Sequence, residues 1–355
     1  MTLSRKKYLL FAAIAVAMSV AGMLVILLVA DLVLHRRAER SAGLNRYGYR
    51  GPVVGRKQPG ELRVVMLGGS TVFGYGVSWN ESVPALLEAR LREKSGGRPI
   101  SVVNLGFNNE GAYAFVPNLE DFSYLQYDVV VLYEGYNDLA GDNGVNSGVF
   151  RRDSAIYRLF GYYPILPIYL QEKAMALRYG NDLNAAYRDL GRKSDDPSAV
   201  VFKPGLATRT SAAAIDAIGA MTQALDGRFE RTRTKPATAE HESTLGCASP
   251  DVTYCESVAA AIRFSLARGL GVVVGSQPRL PGRRSPEFHA RQQQSVTAMI
   301  ARIFGSEKRV VFADLSHALD LNDPNITFDG MHLNPPGNRT IADALMPYVE
   351  AVATR

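Results

Sequence analysis

The sequence predicts an α/β protein: one doubly wound domain on a five-stranded parallel sheet, preceded by a membrane-spanning helix. Three observations predict it. Short, nearly continuous runs of β-branched and apolar residues recur at 63–67, 100–105, 127–133, 271–276 and 310–314, as expected of strands buried on both faces. Helical patterns lie between several of them, and that alternation marks a layered α/β domain. Thirdly, an almost unbroken apolar run from Tyr8 to Leu34 carries Asp31 as its only charge. About 20 such residues cross a bilayer.

The apolar run is longer than the core of a cleaved leader, and His35-Arg36-Arg37 follows it directly. Residues 1–37 are therefore expected to form a cytoplasmic stub and an uncleaved anchor, inserted through residues of about 8–34. Arg5, Lys6 and Lys7 precede the helix, while Arg36, Arg37 and Arg40 follow it. The denser, acid-free first flank favours a cytoplasmic N-terminus and a periplasmic or otherwise extracytoplasmic domain. Over 355 residues the formal net charge is +6, with no basic block after the anchor. That spread fits solubility and mild attraction to anionic lipid or polysaccharide, and argues against a nucleic-acid surface. Cys247 and Cys255 are the only cysteines. Outside the cytoplasm they are candidates for a disulfide, with two separate thiols as the alternative.

In chain order, residues 38–60 are polar and rich in Arg and Gly, and read as a tether. The first strand, Arg63 to Leu67, runs into Gly68-Gly69-Ser70-Thr71. This strand-turn-helix places Ser70 at the sheet's ligand-binding edge, where a hydroxyl beside converging backbone N–H groups is a candidate nucleophile. An N-cap serine is the alternative. A helix follows from about Ser82, with Leu86, Leu87 and Leu91 apolar. The second strand ends at Leu105-Gly106, and the third at Glu134-Gly135-Tyr136-Asn137-Asp138. Residues 141–253 are too long for a plain connection and read as a helical insertion, with a helix at Ser211–Leu225 and an aromatic stretch at 160–170. Alternation resumes with a helix at Glu256–Gly269, the fourth strand, a helix at Pro286–Phe304 and the fifth strand. A closing helix, Pro335–Val352, has Asn334 as its cap and proline in its first turn. The catalytic domain is thus expected to span 61–355.

Just ahead of that last helix, Asp329 and His332 lie three residues apart in a loop. That spacing lets the carboxylate hold one ring nitrogen while the other acts as general base. Gly106 offers an unobstructed N–H, and Asn137 a carboxamide N–H. With the Ser70 N–H they form a candidate oxyanion hole. Singly each feature has a plain structural reading; their order along the sheet edge is what distinguishes them.

That order resembles the SGNH (GDSL-like) hydrolase superfamily at Gly68-Gly69-Ser70-Thr71, Asn104-Leu105-Gly106, Gly135-Tyr136-Asn137-Asp138 and Asp329-Gly330-Met331-His332, over about Glu61 to Val352. The resemblance implies a flavodoxin-like three-layer α/β/α sandwich and ester hydrolysis or acyl transfer on lipids and glycans. It also implies no metal or organic cofactor. By position it makes Ser70 the nucleophile, His332 the base, Asp329 its orienting acid, and Gly106 and Asn137 oxyanion donors. One departure stands out: Gly69 occupies a position where aspartate is usual.

The remaining candidates are weaker. Arg279, Arg283 and Arg284 follow the fourth strand on the same edge, and are read either as contacts for an anionic substrate or as solvated loop residues. His35 reads as interfacial. His241, His289 and His317 read as structural or solvent-facing, and no zinc-ligand spacing is present. The expectation is a membrane-anchored serine esterase removing O-acyl groups, most simply acetyl, from an envelope or exported glycan, with polysaccharide-biosynthesis proteins as candidate partners. An acyltransferase using the same residues and a non-catalytic glycan-binding module are the alternatives.

Overall fold

The computed structural model describes residues 5–108, 110–139, 155–178, 180, 245–280 and 286–353. The larger of its two units, residues 41–161 and 235–355, carries the sheet. Its strands are β1 (Leu62–Leu67), β2 (Ile100–Asn104), β3 (Val129–Tyr133), β4 (Gly271–Gly275) and β5 (Val310–Ala313). All neighbours pair in parallel, in the order β2-β1-β3-β4-β5. The central register sets Val64 between Val102 and Val129, so β-branched side chains stack across the sheet.

Side-chain alternation divides the core into two layers. Val65, Leu67, Val130, Leu132, Val272 and Val274 face one side. There they pack with α4 (Phe115–Asp121), α7 (Val252–Leu266) and α8 (Pro286–Phe304). Val64, Met66, Val129, Val131 and Val273 face the other, against α3 (Val83–Lys94) and α9 (Pro335–Ala353). Nearly every residue of β1 to β4 is buried, because helices cover both faces. The expected α/β/α sandwich with a five-stranded parallel sheet is therefore the observed architecture.

The helix ends follow from local chemistry. In α3, Val83, Leu87 and Leu91 recur every four residues and form its buried stripe, with proline in the first turn. Asn334 caps α9, its Oδ1 accepting the Gly337 N–H at 3.2 Å. The expected helix at Ser211–Leu225, and most of the 141–253 segment, lie outside the described residues. Within that segment α5 (Ala155–Phe160) places Tyr157 against Phe122. Cys247 and Cys255 are joined as a disulfide.

Residues 43–51 differ from the expected tether. Leu44 bridges Arg50, Arg50 bridges Asn104, and Tyr49 lies in the core. The Gly- and Arg-rich composition hides this, because the anchoring is tertiary. The buried Arg50 guanidinium donates to the carbonyls of Phe73, Gly74 (2.6 Å) and Val77 (2.5 Å).

The other unit comprises residues 1–40 and 162–234. Helix α1 (Arg5–Ala42) supplies most of its described part, and α6 (Leu166–Arg178) follows the aromatic stretch. At 38 residues α1 is about 57 Å long, and its apolar side chains are exposed. It is the one helix among the described residues long and apolar enough to cross a membrane. Asp31 and His35 are buried, in contrast to the interfacial reading of His35. Asp31 accepts hydrogen bonds from the Tyr162 hydroxyl and from the N–H groups of Ile165 (2.9 Å) and Leu166 (2.6 Å). It thereby caps α6 from a neighbouring helix. His35 Nε2 meets the Tyr163 carbonyl at 2.8 Å.

Candidate active site

The C-terminal ends of β1, β2 and β3 and the loop before α9 meet at one edge of the sheet. Gly68 and Gly69 turn the chain out of β1 into the short helix α2 (Ser70–Phe73). A Cβ on Gly68 would lie 2.2 Å from the Tyr133 carbonyl oxygen. Only glycine lets β1 and β3 approach this closely at the turn. Ser70 opens α2, and its N–H is one of the orphan donors of a helix start. The Gly74 and Tyr75 N–H groups both donate to the Ser70 carbonyl, at 2.9 and 3.0 Å, closing the turn behind it.

The loop carrying Asp329 and His332 is organised by its own short-range bonds. Thr327 pairs with Leu333, and its Oγ1 accepts the Asp329 and Gly330 N–H groups at 3.3 and 3.0 Å. Asp329 Oδ1 accepts the N–H groups of Met331 (3.0 Å) and His332 (2.7 Å). Its Oδ2 lies 2.6 Å from His332 Nδ1, and His332 Nε2 lies 2.8 Å from Ser70 Oγ. Ser70, His332 and Asp329 thus form one continuous chain of hydrogen bonds. Burial alone would raise the Asp329 pKa; the His332 ring, the His332 N–H and the Met331 N–H instead hold it below the ordinary carboxylate value. An ionised Asp329 keeps the Nδ1 proton in place and leaves Nε2 as the acceptor facing Ser70.

The expected oxyanion donors gather here with different local partners. Asn137 follows β3 in a single 3-10 turn; its Nδ2 donates one hydrogen to the Glu110 carbonyl at 2.8 Å and has a second hydrogen to offer. Asp138 Oδ2 accepts the Ala112 N–H at 2.9 Å, which ties the 110–112 segment to this turn. Gly106 packs against α2, where a Cβ would meet the Phe73 nitrogen at 2.6 Å. Its N–H donates to Asn104 Oδ1 at 3.0 Å, so a substrate oxygen would have to share or replace that acceptor. Arg279 is exposed, with its backbone N–H bonded to the Ser316 carbonyl at 3.1 Å. Arg283 and Arg284 lie outside the described residues.

Several residues of the site escape sequence reasoning. Tyr75 and Phe328 flank His332 with ring centroids at 4.8 and 5.9 Å, and each is about half exposed. Their adjacency to Ser70 and Asp329 in the sequence is the only signal they leave. Gln277, fully buried after β4, donates to Thr71 Oγ1 and accepts the Tyr136 N–H, both at 2.8 Å. Arg50 pins the loop that follows α2, and burial lowers its pKa to about 10. No periodicity marks any of these.

No family model matches the chain, and no curated protein matches it in sequence. Solved structures similar to it include a family 3 carbohydrate esterase from Clostridium thermocellum, at 13% identity over 83% of this chain and 98% of the other, with a TM-score of 0.41. A member of the lipolytic G-D-S-L family from Veillonella parvula matches at 10% identity over 81% and 97%, TM-score 0.41. An acetyl xylan esterase from Geobacillus stearothermophilus matches at 12% identity over 82% and 94%, TM-score 0.41. At these identities the likeness is one of fold.

Proposed function

We propose that the chain is a membrane-anchored serine esterase of the SGNH type, removing O-acyl groups, most simply acetyl, from a cell-envelope or exported glycan. The observation that carries this reading is the unbroken Ser70–His332–Asp329 hydrogen-bond chain at the sheet edge. Ser70 Oγ attacks the ester carbonyl carbon as its proton passes to His332 Nε2, and Asp329 stabilises the imidazolium. The carbonyl oxygen becomes an oxyanion facing the Ser70 N–H and the Asn137 carboxamide, with Gly106 as the third donor. Collapse breaks the ester C–O bond, and the imidazolium protonates the leaving alcohol. Water, deprotonated by His332, then releases the acid from Ser70 by the same path.

Two features support the extracytoplasmic, anchored reading. The Cys247–Cys255 disulfide belongs to an oxidising compartment. Asp31 and His35 are built into contacts with residues 162–166, which removal of α1 as a leader would forfeit. The flat faces of Tyr75 and Phe328 beside the nucleophile suit the apolar face of a sugar ring. A series of p-nitrophenyl esters and an acetylated glycan, assayed with the full chain in detergent, tests the reading. p-Nitrophenol release that falls steeply with acyl length, together with acetate release from the glycan, supports it. A preference for long chains would point to lipid, and transfer to added glycan in place of hydrolysis would make the protein an acyltransferase.

A further inference from the structure

Behind Ser70 lies a carboxylate that the steps above leave unused. Glu134, the first residue after β3, is 2% exposed. Its two oxygens accept three backbone N–H groups. Oε2 takes that of Gly69, while Oε1 takes those of Gly135 (2.9 Å) and Asn137 (3.1 Å). The Tyr254 hydroxyl donates to its backbone carbonyl at 2.7 Å. Burial, with the charge of Asp138, pushes the Glu134 pKa up to about 8, against the pull of the three N–H donors. An acid buried this deeply costs stability, so its place calls for a compensating role.

The groups it holds belong to the site. Gly69 immediately precedes the nucleophile, and Asn137 carries the oxyanion carboxamide. A Cβ on Gly69 would fall 2.2 Å from Asn137 Nδ2 and 2.6 Å from Glu134 Oε2. The space beside residue 69 is therefore filled by two side chains arriving from the end of β3, which accounts for glycine at this position. We infer that Glu134 is a positioning residue: its carboxylate ties the Gly69 peptide to the Asn137 peptide, so that Ser70 and the Asn137 carboxamide face the same substrate carbonyl. Glutamine, of the same length, cannot replace it fully. It offers one acceptor oxygen, and its NH₂ would face an N–H.

The inference rests on the esterase reading, and the test separates the two. Wild type, Glu134→Gln, Asn137→Ala and the double variant are compared on a small acetyl ester. Each is also titrated with a trifluoromethyl ketone, which Ser70 converts to a tetrahedral oxyanion. Glu134→Gln is expected to lower kcat about 10- to 100-fold, to leave KM within about threefold and to weaken the ketone by the same factor as kcat. In the Asn137→Ala background the same change should cost less than about threefold, because the two act as one unit. Gly69→Ala gives a second route: its Cβ displaces both side chains. It should reproduce the loss in kcat. Glu134→Gln or Gly69→Ala turning over within about threefold of wild type, or Glu134 and Asn137 losses that simply multiply, would overturn the inference alone. A wild type without Ser70-dependent turnover would overturn the esterase reading and the inference with it.

Discussion

The two halves of the site are built in opposite ways. The proposed acid–base half, residues 327–333, is a half-exposed loop held by contacts reaching two to six residues along the chain. The oxyanion half, residues 134–138, is an interior turn held by Gly69, Glu110, Ala112, Tyr254 and Gln277 from four other segments. Under the proposed mechanism, local organisation delivers a general base whose geometry survives small changes elsewhere, and tertiary organisation an oxyanion donor whose position depends on the packed core. Substitutions in the first half should therefore remove chemistry while sparing the fold. In the second half, chemistry and stability should move together.

The largest effect should fall on the local half. His332→Ala is expected to lower kcat by about 10⁴-fold or more, with the unfolding midpoint shifted by less than about 2 °C. Steady-state turnover and calorimetry on the same preparation check both parts. Next comes Asn137→Ala, expected to lower kcat about 10²- to 10³-fold as an oxyanion donor is lost. A change below a few-fold would make Asn137 a structural residue and erase the contrast between the halves. Arg50→Leu should act on stability first. It strands three loop carbonyls and should cost about 2–4 kcal/mol in denaturant unfolding. Activity of the fraction still folded should fall less than in Asn137→Ala.

The last effect is one of pH. The folded-state pKa of Glu134 stands at about 8 against an ordinary 4.5. An acid raised in this way contributes stability that is fully present below about 4.5 and is lost as pH rises through about 8. Glu134→Gln removes that dependence, so its unfolding midpoint should gain on the wild type between pH 5 and pH 9. Parallel pH profiles of the two proteins would show instead that Glu134 titrates normally.

The same contrast explains what could be read from the sequence. The five strands were legible to within two residues because burial on both faces leaves continuous β-branched runs. Asp329 and His332 were legible because a three-residue spacing encodes their contact. Ser70 stood out through the glycines that release it from β1. Glu134 was not legible, since a single acid at a strand end looks like an exposed turn residue. The guanidinium of Arg50, reaching 23 to 27 residues along the chain, leaves no periodic trace either. What escaped was long-range polar contact, where one side chain meets backbone groups of a distant segment.

The central claim is that Ser70 is the nucleophile, activated by His332. Labelling the full chain with a serine-reactive fluorophosphonate and mapping the adduct tests it most directly. One adduct per chain, on Ser70, is expected, absent in Ser70→Ala and slowed strongly in His332→Ala. An adduct that persists in Ser70→Ala, or a wild type that takes up no label, would contradict the account.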